Sequence, residues 1–323
     1  MNEFEYGGYL PLELSIDSKE FFQSNQSQKV VRLNSGRATF YFAARFRKFK
    51  RVFLPYFTCA NTEDPFKHLG IEVKKYYLDS RLLPMNVSLG SDEVILWTNY
   101  FGNARDEEID EVCKRYPNLI IDNCHAFFTN PRKGAFNCYS PRKFFGVPDG
   151  GYLVSEELID LKEISTDLSY ENFSHLLQQI DCGTNEGYVE NLKNERRLDH
   201  NYLLMSKLTR AILKSINYEK VREKRWRNFL AMHYALKDTN QFSVNLESKT
   251  QMYYPFKSEN KNLRQILVQN KLYTPFWWSH VLEQVPPTSI EYDLSLNMIH
   301  LPIDQRYSIS DIETICKRVK KFL

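Results

Sequence analysis

Four short segments of this chain hold residue types that can do chemistry, and each stands beside a run that reads as a β-strand. The first is Asn34-Ser35-Gly36-Arg37-Ala38-Thr39. A strand ends there, the glycine permits a tight turn and a helix begins. The start of a helix offers unpaired N–H groups to a phosphate. The second is Asp122, which closes the apolar run NLIIDN. A carboxylate in that place either caps a turn or pairs with a buried cation, such as a protonated ring nitrogen. The third is Tyr139-Ser140-Pro141-Arg142-Lys143-Phe144-Phe145-Gly146, which sets Lys143 among aromatic and small residues, 21 residues after Asp122. Lysine is rarely placed in apolar surroundings without a partner. Loss of water lowers its pKa and makes the amine a nucleophile. The fourth, Asp149-Gly150-Gly151, precedes the run GYLVS and reads first as a turn.

The order of these pieces carries more than any one of them. A glycine turn, a strand-end Asp, a Lys and then Asp-Gly-Gly are what a pyridoxal phosphate (PLP) site needs. Asp122 would keep the pyridine nitrogen protonated, so that the ring acts as an electron sink. Lys143 would hold the cofactor as a Schiff base and then move the proton.

The elements that must position these residues alternate along the chain. VVRL (30–33) precedes a helical stretch, ATFYFAARFRKF. Then come the β runs RVFLPYF (51–57), EVKKYYLD (72–79), EVILWTNY (93–100), NLIIDN (118–123) and GYLVS (151–155). DEEIDEVCKRY (106–116) reads as a helix with Ile109, Val112 and Cys113 on one face. This alternation predicts an α/β fold, a mostly parallel sheet covered by helices on both faces. Ligands in such sheets bind at the carboxyl ends of the strands. Residues 201–237 read as wholly helical, with a possible break over Ser215 to Tyr218. The last part of the chain reads as a small α+β lobe, with strands MYYPFK (252–257) and NMIHLPI (297–303) and helices NLRQILVQN (262–270) and SDIETICKRVKKFL (310–323). Ser310 would cap the last helix, with Glu313 at the capping-box position. The expected domains are 1–237, a large cofactor-binding domain with an N-terminal arm and a connecting helix, and 238–323, a small C-terminal domain.

At this point the chain resembles the DegT/StrS family of PLP-dependent aminotransferases, which act on nucleotide-linked keto sugars. LNSGRATFYFA is similar to that family's N-S-G-T-x-A segment. VFLPYFTCANT is similar to its V-x-x-P-x-[FL]-T-x-x-A-T segment, with Pro55, Thr58 and Thr62 in place. WTNYFGNARDEEIDEVCKRY resembles its Y-G segment followed by an acidic helix. LIIDNCHAF resembles E-D-x-[AC]-[QH]-A, and CYSPRKFFGVPDGGYLV resembles S-F-x-x-x-K-N-x-G-x-x-x-G-G-x-x-V. HNYLLMSKLTRAIL stands where the family has N-Y-R-x-x-x-x-x-A. The resemblance runs from about residue 30 to 237, and more loosely through LYTPFWW and IHLPIDQRYS. It implies an aspartate-aminotransferase-like fold. It makes Lys143 the Schiff-base lysine and Asp122 the partner of the pyridine nitrogen, with His125 contacting the ring or its hydroxyl. Gly36, Arg37 and Ala38 would meet the phosphate, and Thr58, Cys59, Asn99, Cys138 and Ser140 complete the cofactor set. Asn201 would reach the phosphate of a neighbouring subunit, which implies a homodimer.

The chain departs from that pattern at three places. Arg37 replaces a small Thr at the phosphate turn. Cys138 stands where a phosphate-binding Ser is usual, with Ser140 nearby. Cys59 stands where an aromatic often stacks on the ring, leaving Tyr56, Phe57 or His125 to supply that face. The expected activity is transfer of an amine from an amino acid to a keto sugar, in the setting of polysaccharide biosynthesis. A dehydratase branch of the family replaces the lysine with His, and Lys143 is present here. A protein that keeps the fold but has lost catalysis, and serves as a binding or regulatory module, is the alternative. The stretch Tyr273-Thr274-Pro275-Phe276-Trp277-Trp278 is either a substrate wall or packing of the small lobe.

Composition narrows the rest. The chain has 323 residues, and its formal charge of +3 is too small to argue for nucleic acid. Six cysteines without a C-x-x-C pair give no zinc pattern, and no other metal site is expected. Their wide spacing, with no basic-then-apolar pattern in MNEFEYGGYLPLEL, reads as reduced thiols in a cytoplasmic protein. No run is long enough to span a membrane.

Overall fold

A computed structural model of the chain describes residue 10, residues 12–15 and residues 19–323. Residues 1–9 and 11, which make up most of the stretch read for an export signal, lie outside the described residues, as does most of the expected N-terminal arm. In chain order the elements are β1 (Lys29–Leu33), α1 (Gly36–Arg47), β2 (Arg51–Pro55), α2 (Asp64–His68), β3 (Glu72–Tyr76), β4 (Glu93–Thr98), α3 (Asp106–Arg115), β5 (Leu119–Asp122), β6 (Phe136–Tyr139) and β7 (Gly151–Ser155). A helical segment follows, α4 (Ser174–Asp181), α5 (Tyr188–Arg197), α6 (Lys207–Lys214) and α7 (Tyr218–Leu236). The chain ends with β8 (Tyr253–Lys257), α8 (Leu263–Gln269), α9 (Ile290–Asn297), β9 (Met298–Pro302) and α10 (Ile309–Lys321).

The first seven strands form one sheet in the order β1-β7-β6-β5-β4-β2-β3. Parallel pairing runs from β3 through β2, β4 and β5 to β6, and only β7 runs against its neighbours β6 and β1. Both faces are covered because alternate residues of each strand point opposite ways. Val94 and Leu96 of β4 pack with Phe40, Phe42 and Ala44 of α1 on one face. Ile95 and Trp97 pack with Ile109 and Val112 of α3 on the other, joined there by Val281 and Leu294 from the C-terminal part. All six β runs of the large domain thus form strands, and GYLVS keeps its bounds.

Three expectations change. Residues 201–206 are not helical. They are extended, and Leu204 bridges Leu33 of β1 and Thr166. The helical spacing seen there starts only at α6, whose N-cap Ser206 accepts from the Thr209 N–H. The break over Ser215–Asn217 is real, and α7 starts after it. Strand β6 went unread because its residues, FNCY, form neither an alternation nor a continuous apolar run, unlike the equally buried β5 and β7. The last helix is capped by Ser308 with Asp311, not by Ser310 with Glu313. The small lobe pairs β8 with β9 antiparallel. Phe229, Met232 and Leu236 of α7 share its core with Phe256, Leu301, Ile312 and Val319, so the connecting helix packs as part of that lobe.

Candidate active site

The C-terminal ends of β1, β4, β5 and β6 bring the marked residues to one side of the sheet. After β1 the chain turns through Asn34 and Ser35 into α1, where the Ser35 hydroxyl accepts from the Ala38 N–H at 3.1 Å. That cap uses the Ala38 donor and leaves those of Gly36 and Arg37, since the first N–H groups of a helix have no partner within it. Space at Gly36 is tight. A Cβ there would lie 3.0 Å from the Cys124 Sγ and 3.6 Å from the Ser140 Cβ. The helix start, the loop after β5 and the residue after β6 therefore form one narrow cup, able to take a phosphate on the N–H groups of α1 with Ser140 opposite. Cys138 is not at its rim. It is fully buried, and burial pushes its thiol far up, with the Thr39 hydroxyl offsetting part of that rise.

Arg37 leans away from the cup and pairs with Asp199 at 2.8 Å, while its Nε is buried without a partner. Asn61 donates to the same carboxylate at 3.3 Å. Arg142, next to Lys143, is ion-paired with Glu195 of α5. Burial pushes the Glu195 carboxyl up, but the charges of Arg142, Arg37 and Lys143 outweigh it and hold the group below the usual range. Glu195 thus sits among the three cations, and Glu195 and Asp199, four residues apart, fasten the end of α5 over the site. Sequence reading passed over both carboxylates. Their spacing of one helical turn was the only signal.

Asp122 ends β5 nearly buried. Its Oδ1 accepts from the Cys124 N–H at 2.9 Å and its Oδ2 from the Thr98 hydroxyl at 3.4 Å. Lys143 lies in the short turn after β6 and is exposed, with no side-chain hydrogen bond or ion pair among the described residues. That differs from the apolar setting its neighbours suggested, because Phe144 and Phe145 turn into the core while the lysine points out. Its charge is felt by the residues of the β5 loop. Burial raises the Cys124 thiol far above its usual value, with Asp122 adding and Lys143 opposing. Burial, Lys143 and His300 together lower His125 far below its usual value. Ser140 of the cup and Lys143 line one cavity, and the lysine's charge reaches Cys124 and His125 of the loop that follows Asp122.

The aromatic face differs from what the sequence offered. Phe57 is core, packed on Tyr100 and Trp278, and Tyr56 rests against Tyr77. His125 instead stacks on Trp277, with ring centroids 4.4 Å apart and planes 16° apart. Trp277 has His300 against it at 3.8 Å and Trp278 at 5.6 Å. Both nitrogens of the fully buried His300, and Nδ1 of His125, lack partners. Cys59 is exposed, and the Thr58 hydroxyl bonds to Thr62. Asn99 is committed to Asn123, Thr129 and the Ala104 N–H. Asn201 gives its carbonyl to Asn34, on the extended segment that follows α5. Asp149 is structural. Fully buried, it accepts from the Ser206 N–H and hydroxyl at 2.8 and 2.7 Å and from Thr209, tying the entry of β7 to α6. Burial raises its pKa, and these bonds offset part of that rise. Among the described residues no cluster of His, Cys, Asp or Glu is placed to hold a metal.

A sheet in this order, with one reversed strand, is similar to those of several solved structures. An aminotransferase of the DegT, DnrJ, EryC1 and StrS group from Brucella abortus superposes with a TM-score of 0.64 over 91% of this chain and 85% of its own, at 18% identity. The chain has the fold of these aminotransferases. The sugar aminotransferase CalS13 from Micromonospora echinospora superposes with a TM-score of 0.64 at 13% identity, covering 91% of this chain and 87% of its own. PseC of Helicobacter pylori, an aminotransferase in the biosynthesis of pseudoaminic acid, covers 95% of this chain and 93% of its own, with a TM-score of 0.62 and 14% identity. No protein-family model and no curated protein matches the sequence. The aminotransferase fold therefore reaches this chain through shape, with a sequence far diverged.

Proposed function

We propose that the protein is a PLP-dependent aminotransferase that moves an amine from an amino acid to a keto sugar, one linked to a nucleotide. The observation that carries this reading is the convergence of Lys143, Asp122 and the Gly36 cup at the strand ends of this fold. Bound there, PLP supplies a protonated ring that draws electrons from the substrate carbon bearing the amine. Gly36 and Arg37 N–H groups and Ser140 would hold its phosphate. The Asp122 carboxylate would keep the ring nitrogen protonated by charge, and His125 would lie beside the ring. The Lys143 amine would hold the cofactor's aldehyde carbon until the substrate amine displaces it, and would then carry the proton from the substrate carbon to that carbon of the cofactor. Arg37 would exchange Asp199 for the phosphate or keep both.

The substrate reading rests on the cavity beside Lys143, about 560 Å³, walled by Arg142, Tyr188, Arg225, Tyr253 and Arg306. Glu195 and Asp304 also line it, paired with Arg142 and Arg306, and the basic groups left in excess, interleaved with rings, suit a ligand that joins anionic groups to a ring. Trp277 and Trp278, both half-buried, offer a further stacking wall for a sugar or base. All six cysteines are free, in keeping with action in the cytoplasm. No helix among the described residues is long and apolar enough to cross a membrane. The working unit in this reading is a homodimer, with Asn201 turned toward the partner's phosphate.

The experiment is a titration of the purified protein with PLP, followed by absorbance. Wild type gains a visible band that borohydride abolishes, leaving the cofactor's mass on the peptide carrying Lys143. Lys143→Ala shows neither the band nor transamination while its circular dichroism stays native. Wild type with no spectral change on PLP addition ends the reading.

A further inference from the structure

Lys143 is exposed and its amine has no partner among the described residues, so something else must fix where it points. The residue after it is gripped from the small lobe. The Gln305 Nε2 donates to the Phe144 carbonyl at 2.8 Å. Gln305 stands in the loop between β9 and α10, across the cleft from the large sheet. Its own carbonyl oxygen accepts from the Arg225 Nη1 at 3.0 Å. Arg225 is buried on α7, and its guanidinium also covers the Phe144 ring, with Cζ 4.6 Å from the centroid. Its other terminal nitrogen donates to the Gln251 carbonyl at 3.3 Å and to that of Met252. Asn228, one helical turn later, donates to the carbonyls of Ile303, Asp304 and Tyr307 and so fixes the loop that carries Gln305.

A guanidinium this deep, without a carboxylate in hydrogen-bond contact, is costly to bury. Arg225 spends its hydrogen bonds on one glutamine and two backbone carbonyls around the lysine turn. The same loop lines the cavity beside Lys143 through Asp304, Gln305 and Arg306. We infer that Arg225 and Gln305 are positioning residues for Lys143. They transmit the placement of the small lobe, and of whatever rests against its loop, to the lysine through Phe144. The inference rests on the proposed role of Lys143, and its test separates the two.

The informative change is Gln305→Glu. It keeps size and the contact with Arg225, but it cannot donate to the Phe144 carbonyl. Gln305→Leu removes both contacts, and since Gln305 is only half-buried both variants are expected to fold. Three readouts apply to each variant. In cofactor-free protein, labelling of Lys143 by an amine-reactive reagent, followed by peptide mass spectrometry with Lys50 as internal reference, should quicken about threefold or more, in line with one lost hydrogen bond. On PLP addition, affinity should fall by about three- to tenfold and the pH midpoint of the visible band should move. In turnover, kcat should fall about tenfold or more while KM for the amine donor changes little, because a lysine displaced by a fraction of an ångström loses rate before it loses binding. Arg225→Lys should behave as Gln305→Leu does, since an ammonium cannot make the fork to Gln305 and the carbonyls. If wild type does not bind PLP, the proposed function fails, and the labelling ratio still decides the present inference. If Lys143 labelling, PLP affinity and kcat of Gln305→Glu all match wild type, the clamp is only a lobe contact and the inference is overturned.

Discussion

At the scale of single residues, the site is an arrangement of charges whose partners are fixed by burial. Asp122 is the clearest case. It accepts from a backbone N–H and a hydroxyl, which hold its carboxylate in one orientation at the strand end. Asp122→Asn keeps the shape but removes the charge, so PLP binding should weaken and turnover fall by about 10²-fold or more, as when an oriented electrostatic contact is lost. Turnover at the wild-type level would reduce this residue to a turn cap. His300 makes a prediction about stability. Burial lowers its pKa from 6.5 to about 3, because neither ring nitrogen has a partner to hold a charge. The unfolded chain takes up a proton near pH 6.5, whereas the folded chain does so only near pH 3. Stability from the neutral ring is therefore complete above 6.5 and is lost as the pH falls toward 3, at about 1.4 kcal/mol per unit. His125 acts in the same direction. His300→Phe should flatten the acid limb of a denaturation series at pH 7, 6 and 5 by one proton's slope. An unchanged limb would remove His300 from the account.

At the scale of elements, the junction of β1, α1 and β7 sets the cup. Gly151 opens β7 beneath the turn, and a Cβ there would lie 2.2 Å from the Ser35 carbonyl oxygen. No side chain fits, and the obstacle is backbone, so the turn itself would have to move. Gly151→Ala should cost on the order of 2–4 kcal/mol. PLP affinity should fall with it, because Ser35 is the cap that starts α1. Thermal melts and a PLP titration of the same preparation check both, and a variant matching wild type in each would show that the junction has slack. The α5 end is a second such element. Glu195 and Asp199 reach two arginines beside the site, so this helix closes one side of it by charge.

At the scale of the whole molecule, the question is what covers the helical segment beside the cavity. The case for a partner cannot rest on Tyr202 to Met205 as an apolar helix, since that stretch is extended. Tyr202 stacks on Tyr41 at 4.2 Å and Met205 is buried within the chain. A run of exposed apolar side chains instead lies on α4 and α5 and just before them. Ile180 is 81% exposed, Leu168 73% and Tyr170 68%, with Leu177, Tyr188 and Val189 nearby in sequence. Apolar surface grouped in this way favours an interface. Closed two-fold dimers are the commonest assembly. We expect a dimer burying more than roughly 2,000 Å² in total, formed through this face, and Ile180→Glu should weaken it. Sedimentation equilibrium at micromolar concentration decides. A 38.3 kDa monomer that still binds PLP would falsify the dimer and the shared role of Asn201 together.

The sequence by itself determined the strands whose apolar runs are marked by alternation or by turn residues, and the helices with a single buried face. It also determined the order of the glycine turn, Asp122 and Lys143. These are local properties. A strand end and a helix start are written in neighbouring residues, and chain order limits which strand ends can meet. Only the tertiary structure decided the rest, because partners far apart in the chain leave no local trace. Strand β6 has neither a period nor an apolar run to read, since buried Asn137 interrupts its four residues and only the fold gives that amide its partners. Residues 201–206 have helical spacing but are drawn out by pairing with β1. Lys143 has aromatic neighbours in sequence, yet these turn into the core and leave it exposed. Arg37 found Asp199 more than 150 residues away, and His125 found Trp277. Arg225 belongs to the basic run REKRWR (222–227), which by its composition reads as a solvated helix face, and only the fold buries it against the turn that carries Lys143.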